Sequence, residues 1–171
     1  MGSKGERVAK GITTVAVVAL AAVGCGGKGS GAVKDGNVTP ASVEQKARTL
    51  TQQTLDAIRP VIGSARTSVT GNEWQQCTTE TPGQHRFQHT YTLKLDVPKD
   101  QSKAVMDAAK GYFTKEGYLL DPSDGENTRA GATLPKSTWT VRLGVKDIST
   151  MVLQAGSDCV FTTHDPPVTD N

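Results

Sequence analysis

One stretch of this chain leaves little choice of conformation. From Arg86 to Val97 the residues alternate without a break, with Phe87, His89, Tyr91, Leu93, Leu95 and Val97 on one side and Arg86, Gln88, Thr90, Thr92, Lys94 and Asp96 on the other. A period of two belongs to extended backbone, in which successive side chains point to opposite faces. The pattern therefore predicts a strand with one face on a core and the other in water. That is the habit of antiparallel sheets, since parallel strands are buried on both faces. Such a strand belongs at or near the middle of its sheet, and the rest of the chain must supply its neighbours and a cover.

Two segments have the period of a cover. Val43, Ala47, Leu50, Thr54, Ala57, Ile58 and Val61 recur at helical spacing, with Lys46, Arg48, Gln52 and Asp56 elsewhere around the helix. Ser42 and Gln45 have the spacing of a capping box, so the helix is expected over 43–62. Pro60 is expected to kink it or end it near Ile58, with Gly63 as terminator. The second segment, 101–116, has Asp100 placed to cap it and Val105, Ala108, Ala109, Tyr112 and Phe113 as its inner face, with Met106 beside them. Lys103 and Asp107 form an i to i+4 pair outside, and Gly117 can end the helix. Both stripes are better used on the domain's own sheet than on a partner or a lipid.

The remaining strands are weaker. Residues 66–80, with Val69, Trp74 and Cys77, read as a loose strand bent or bulged at Gly71-Asn72, before a turn at Pro82-Gly83. A short strand is expected at 118–120 and another over 128–134. Trp139, Val141, Leu143 and Val145 then alternate, and after a turn at 147–150 Met151, Leu153 and Ala155 lead to Cys159-Val-Phe161 as a C-terminal hairpin. The order predicts one α+β domain over 42–163, a twisted antiparallel sheet of about four to six strands with two helices packed on one face. Asp165-Pro-Pro167 should end it, leaving 164–171 as a disordered tail.

The residues before the domain form an address. Lys4, Arg7 and Lys10 precede an uncharged apolar run from Gly11 to Gly24, too short for the roughly 20 residues that a helix needs to cross a bilayer, and it fits a signal peptide. Ala22-Val-Gly-Cys25 resembles the lipobox of bacterial lipoproteins, although Ala22 departs from the usual leucine. The resemblance implies cleavage after residue 24 and diacylation of Cys25, and two acyl chains anchor stably where one does not. The alternative is an ordinary secretory peptide that happens to contain a cysteine. Gly24, Gly26, Gly27, Gly29 and Gly31 crowd around Lys28, but Gly29 stands where a phosphate loop needs Ser or Thr. Residues 25–41 are thus read as a lipidated flexible tether, about 20 Å end to end as a coil and about 50 Å when stretched. The expected location is the cell membrane, lipid-anchored on its outer, extracytoplasmic face.

Processing changes the charge. The precursor carries 19 basic and 17 acidic residues, and loss of Lys4, Arg7 and Lys10 with Glu6 leaves 16 of each, so a basic pI argues nothing for nucleic acid. Three cysteines become two, Cys77 and Cys159, once Cys25 is committed to lipid. They form either a disulfide, as an even remainder outside the cytoplasm suggests, or two separate buried thiols. A bridge would stabilise the fold by roughly 4 kcal/mol in the chain-entropy model.

Catalytic constellations are missing from this pattern. His85, His89 and His164 are the only histidines, His85 and His89 share a strand face, and zinc would need a third ligand to which nothing points. Asp121, Asp124 and Glu126 sit in a polar loop and read as solvated. No catalytic residue, metal or cofactor is assigned. Trp74 and Trp139 are either ligand-stacking residues or core, and His89 either joins them in a site or packs at the core edge.

Trp74 followed by Cys77, a helix ending Gly117-Tyr118, and Gly156, Asp158 and Cys159 closing a late strand resemble the actinobacterial LppA-like lipoproteins over most of the domain. The resemblance implies the disulfide and the α+β layout and brings no activity. The expected function is that of an envelope lipoprotein, not an enzyme, whose domain binds a protein partner or a small or lipid-like ligand and no nucleic acid. An extracytoplasmic enzyme using His89 or an acid, and a purely structural role, are the alternatives.

Overall fold

The alternating stretch forms strand β2 (Arg86–Leu95), and Phe87, His89, Tyr91, Leu93 and Leu95 are all buried, as is Val97 just beyond it. The computed structural model describes residues 38–78, 86–122 and 127–167. Cys25 with its tether to residue 37, the Pro82-Gly83 turn, His85, Asp124, Glu126 and residues 168–171 lie outside the described residues. Helix α1 (Pro40–Ile62) and strand β1 (Thr67–Gln76) precede β2. After it come a 3₁₀ turn (Lys99–Gln101), helix α2 (Ser102–Lys115) and strands β3 (Leu119–Leu120), β4 (Arg129–Thr133), β5 (Thr140–Asp147), β6 (Thr150–Gly156) and β7 (Val160–Phe161).

These strands form one antiparallel sheet in the order β1-β2-β6-β5-β4-β3, with β7 pairing the start of β2. The class is α+β, with six strands on the main path and the two-residue β7 beside it. β2 lies one strand in from the edge, between β1 and β6. Register sets Tyr91, Ala155, Val141 and Ala132 side by side across four strands, and all are buried. Both helices cover this face, α1 on β2 and β6, α2 on β3, β4 and β5. The other face carries Thr90, Thr92, Gln154 and Arg142.

Helix α1 begins earlier than its periodicity suggests. Thr39, not Ser42, is the N-cap, and its hydroxyl accepts from the Ser42 amide at 3.2 Å while Pro40 opens the first turn. Pro40 decides this, because its fixed φ suits the first helical position, where a missing N–H costs nothing. Ser42 instead donates its hydroxyl to the Thr39 carbonyl at 2.7 Å. Val38 bridges Thr162, so the chain joins the fold before the helix starts. Pro60 does not end the helix, which runs on to Ile62. In the last turn a proline removes only one backbone bond. Arg59 Nη1 then reaches the carbonyls of Gly63 and Ala65 at 3.4 and 3.3 Å, and Gly63 closes the helix at φ 55°. The buried stripe is wider than expected, since Thr51, Leu55 and Ile62 join it while Val61 stays 36% exposed. A helix wedged between a sheet and a second helix buries two flanks. Thr51 and Thr54 tolerate burial by donating to the carbonyls of Ala47 and Leu50 at 2.7 and 2.9 Å.

Asp100 does not cap α2; it lies within the 3₁₀ turn, and the helix starts at Ser102 without a side-chain cap. Val105, Met106, Ala109 and Phe113 form its buried face, with Ala108 and Tyr112 half-buried. Lys103 Nζ meets Asp107 at 2.6 Å, and Gly117 takes φ 72° where the helix ends. The bulge expected at Gly71 is present as a register shift between Val69 and Gly71. Residues 165–167 follow without regular structure, Pro166 buried.

Candidate functional site

The fold brings two of the three candidate ligand residues together. Trp74 on β1 lies directly opposite His89 on β2, their rings 4.7 Å apart at 51°. His89 is fully buried rather than at the core edge, and its Nε2 lies 3.1 Å from Asn72 Oδ1. Since the amide oxygen can only accept, Nε2 carries the proton and Nδ1 is left as an acceptor without a partner among the described residues. Burial pushes the His89 pKa below 6.5, Glu44 opposing the shift and Arg48 adding to it. The ring is therefore held neutral. Its backbone is fixed as well, N–H donating to Ser157 Oγ and C=O accepting from Ser157 N, both at 2.9 Å.

Sequence reasoning missed the residues that tie this pair to the helix. Trp74 Nε1 donates to Glu44 Oε1 at 3.1 Å, Glu44 Oε2 lies 3.9 Å from Arg48, and the Arg48 guanidinium sits over the Tyr91 ring at 5.2 Å. Glu44 and Arg48 are one turn apart on α1, and Asn72 shares a strand face with Trp74. Those spacings were visible in the chain, but which helix faced which strand was not.

Trp139 stands elsewhere. It is buried just before β5 on the far side of β6, with Lys46 Nζ 4.8 Å from its ring centre. His89 is sealed from solvent, so in this conformation it offers no base to a substrate. Among the described residues no three His, Cys, Asp or Glu side chains converge to hold a metal. No helix among them is long and apolar enough to cross a membrane.

Cys77 and Cys159 form a disulfide, their Cα atoms 6.1 Å apart and 82 residues apart in sequence. It clasps the start of β2, because β1 and β7 both pair Phe87 and the Cys77 amide donates to the Arg86 carbonyl at 2.9 Å.

Beside the Trp74–His89 pair an open groove of about 500 Å³ runs between α1 and the edge strand β1. Leu55, Tyr91 and Leu93 supply an apolar floor, Val69 is exposed at its lip, and Arg48, Thr49 and Gln52 line the helix side. Among the described residues, the outer edge of β1 has no neighbour in the sheet. A second concavity of about 510 Å³ lies on the sheet face opposite the two helices, around Arg129, Arg142 and Lys146.

No family model and no curated protein matches this sequence. Among solved structures, the chain is similar to the crystal structure of a DUF4853 family protein from Actinomyces odontolyticus. The identity is 14% and the TM-score 0.46, over 77% of this chain and 73% of that one. It is also similar to the crystal structure of a protein named as lipoprotein LppA, from Mycobacterium tuberculosis. There the identity is 12% and the TM-score 0.39, over 75% of this chain and 82% of that one.

Proposed function

We propose that this chain is an envelope lipoprotein, anchored by lipid on Cys25 at the outer face of the cell membrane, whose domain holds an extended segment of a protein partner along β1. The observation that carries the anchor is the Cys77–Cys159 bridge. It accounts for both cysteines of the domain and leaves, of the three in the chain, the one at the end of the apolar leader. A disulfide also suits an oxidising compartment.

The groove favours a polypeptide. It is open to solvent, with an apolar floor and a polar helix side, whereas a lipid chain or drug-sized ligand is better held in an enclosed apolar cavity. A segment added to β1 would use the edge N–H and C=O groups for its backbone and set alternate side chains into the groove. Two experiments test this reading. Cys25→Ser should abolish fatty-acid labelling and release the protein from the membrane, and persistent detergent-only extraction would refute the anchor. A photocrosslinker at exposed Val69 should give a discrete adduct in the native envelope that Arg48→Glu abolishes. The same probe at Ile148, 80% exposed on the β5–β6 turn, should give none, and equal labelling at both positions would refute the groove.

A further inference from the structure

The face of the sheet opposite the two helices carries a cluster of positive charge around Arg129, Arg142 and Lys146. Arg129 on β4 faces Gly144 on β5, and Arg142 on β5 faces Gly131 on β4. The two arginines thus occupy diagonal positions on neighbouring strands, with Cα atoms roughly 7–8 Å apart. Across a strand pair an opposite charge is favourable and a like charge unfavourable. Here both opposing residues lack side chains altogether. Lys146 adds a third cation to the rim, and Asp121 brings one negative charge. Neither Arg129 nor Arg142 has an ion-pair partner among the described residues, and both are exposed. The contrast lies in the same cross-strand row, where Lys94 on β2 is paired with Asp96 at 3.1 Å. The concavity between the arginines, about 510 Å³, is floored by Gly144 and flanked by Val152 and Gln154 of β6. A Cβ at Gly144 would meet only the Thr128 carbonyl, at 3.8 Å, so the floor is open above the glycine.

We infer that this concavity is a binding site for a phosphate ester. Two guanidinium forks on one diagonal can each donate paired N–H groups to the terminal oxygens of a phosphate, three in a monoester and two in a diester. Lys146 adds a point charge at the rim. Gly144 serves the site by omission, because a side chain there would fill the space between the forks. The ester is either the headgroup of an anionic phospholipid or a soluble phosphate ester, and the two share this chemistry. The site lies on the face opposite the β1 groove and does not depend on the partner reading.

The test uses the full chain in nonionic detergent, with glycerol 3-phosphate as the soluble probe, glycerol as its uncharged comparator, and micelles doped with phosphatidylglycerol or phosphatidylcholine as the lipid arm. Binding is read from the amide resonances of Gly131 and Gly144. Saturable shifts with glycerol 3-phosphate and none with glycerol support a soluble ester. Shifts with phosphatidylglycerol alone support a headgroup. In either arm Arg129→Gln and Arg142→Gln should each weaken binding about tenfold, as expected for a charged hydrogen-bonding partner, and Arg48→Gln on the other face should leave it unchanged. Added salt should weaken it too. Both arginines are on the surface, and unaltered thermal unfolding of the variants shows that a loss of binding is local. No saturable shift in either arm, or shifts that persist in Arg129→Gln/Arg142→Gln, would overturn the site.

Discussion

Removing the Cys77–Cys159 bridge should cost this domain a large part of its stability. Strand β1 is the reason to look there. Among the described residues it pairs on one side only, and of its ten residues Trp74 alone is buried. The burial of one indole and a single ladder must hold it, unless the covalent link at its end contributes. For a separation of 82 residues the chain-entropy model assigns the bridge about 4.5 kcal/mol at 25 °C, chiefly by restricting the unfolded chain. Domains of this kind have roughly 5–15 kcal/mol in total. For the 119 described residues, the entropy of unfolding is about 0.25 kcal/mol per kelvin, so the loss corresponds to a fall of roughly 18 °C in Tm. The assay is urea denaturation of the mature protein and its Cys77→Ala/Cys159→Ala variant. The midpoint should fall and the m-value rise, since an uncrosslinked unfolded chain exposes more surface. Hydrogen exchange should speed up first in β1. A loss below about 1 kcal/mol with an unchanged m-value would refute the reasoning, because the bridge would then not be constraining the unfolded ensemble.

Three further outcomes follow from the same contacts. The His89 pKa is lowered by burial, so the unfolded chain takes up a proton first; stability is full above pH 6.5 and falls as pH drops from there toward the lowered native value. The slope is at most about 1.4 kcal/mol per pH unit, and in His89→Phe it should flatten, as urea midpoints at several pH values will show. Trp74→Phe removes the N–H bonded to Glu44 together with part of the buried indole, and should cost more than about 1.5 kcal/mol, because the acceptor is charged and a cavity is left as well; an unchanged midpoint would discount the tie. Gly117→Ala forces a side chain into a left-handed position at φ 72° and should cost about 1 kcal/mol by the same measurement.

Much of the fold was legible because its periods are local. The β2 alternation predicted burial at every second position, and the α2 stripe, the Gly117 stop and the Gly71 bulge were each readable from a few neighbouring residues. The errors fell at element ends, where competing local signals have similar strength. Thr39 with Pro40 outcompeted Ser42 as the start of α1, and Pro60 was tolerated because the helix had only one more backbone bond to lose there. The α1 stripe is wider than its period for a related reason. Leu55 is buried where α1 faces β1 and β2, beside Tyr91 and Leu93, and no period within α1 announces those neighbours.

The candidate site divides along the same line. Trp74 and His89 stood out as residues, yet their pairing required β1 and β2 to lie side by side in a register set by a bulge. The ties from Glu44 and Arg48 needed α1 to cross above them. The β1 groove and the paired arginines over Gly131 and Gly144 are likewise absent from any linear pattern, since each joins strands distant in sequence.

By itself the sequence determined the strand and helix periods, the α+β class, the neutral balance after residue 24 and the short list of groups with distinctive chemistry, all properties of neighbouring residues or of simple counting. Only the tertiary structure decided that Cys77 meets Cys159, that His89 is sealed and neutral, that Trp139 stands apart, and that two arginines face glycines instead of acids. Those outcomes depend on strand order and register, which are set by the total burial achieved across the sheet. No short segment carries that sum.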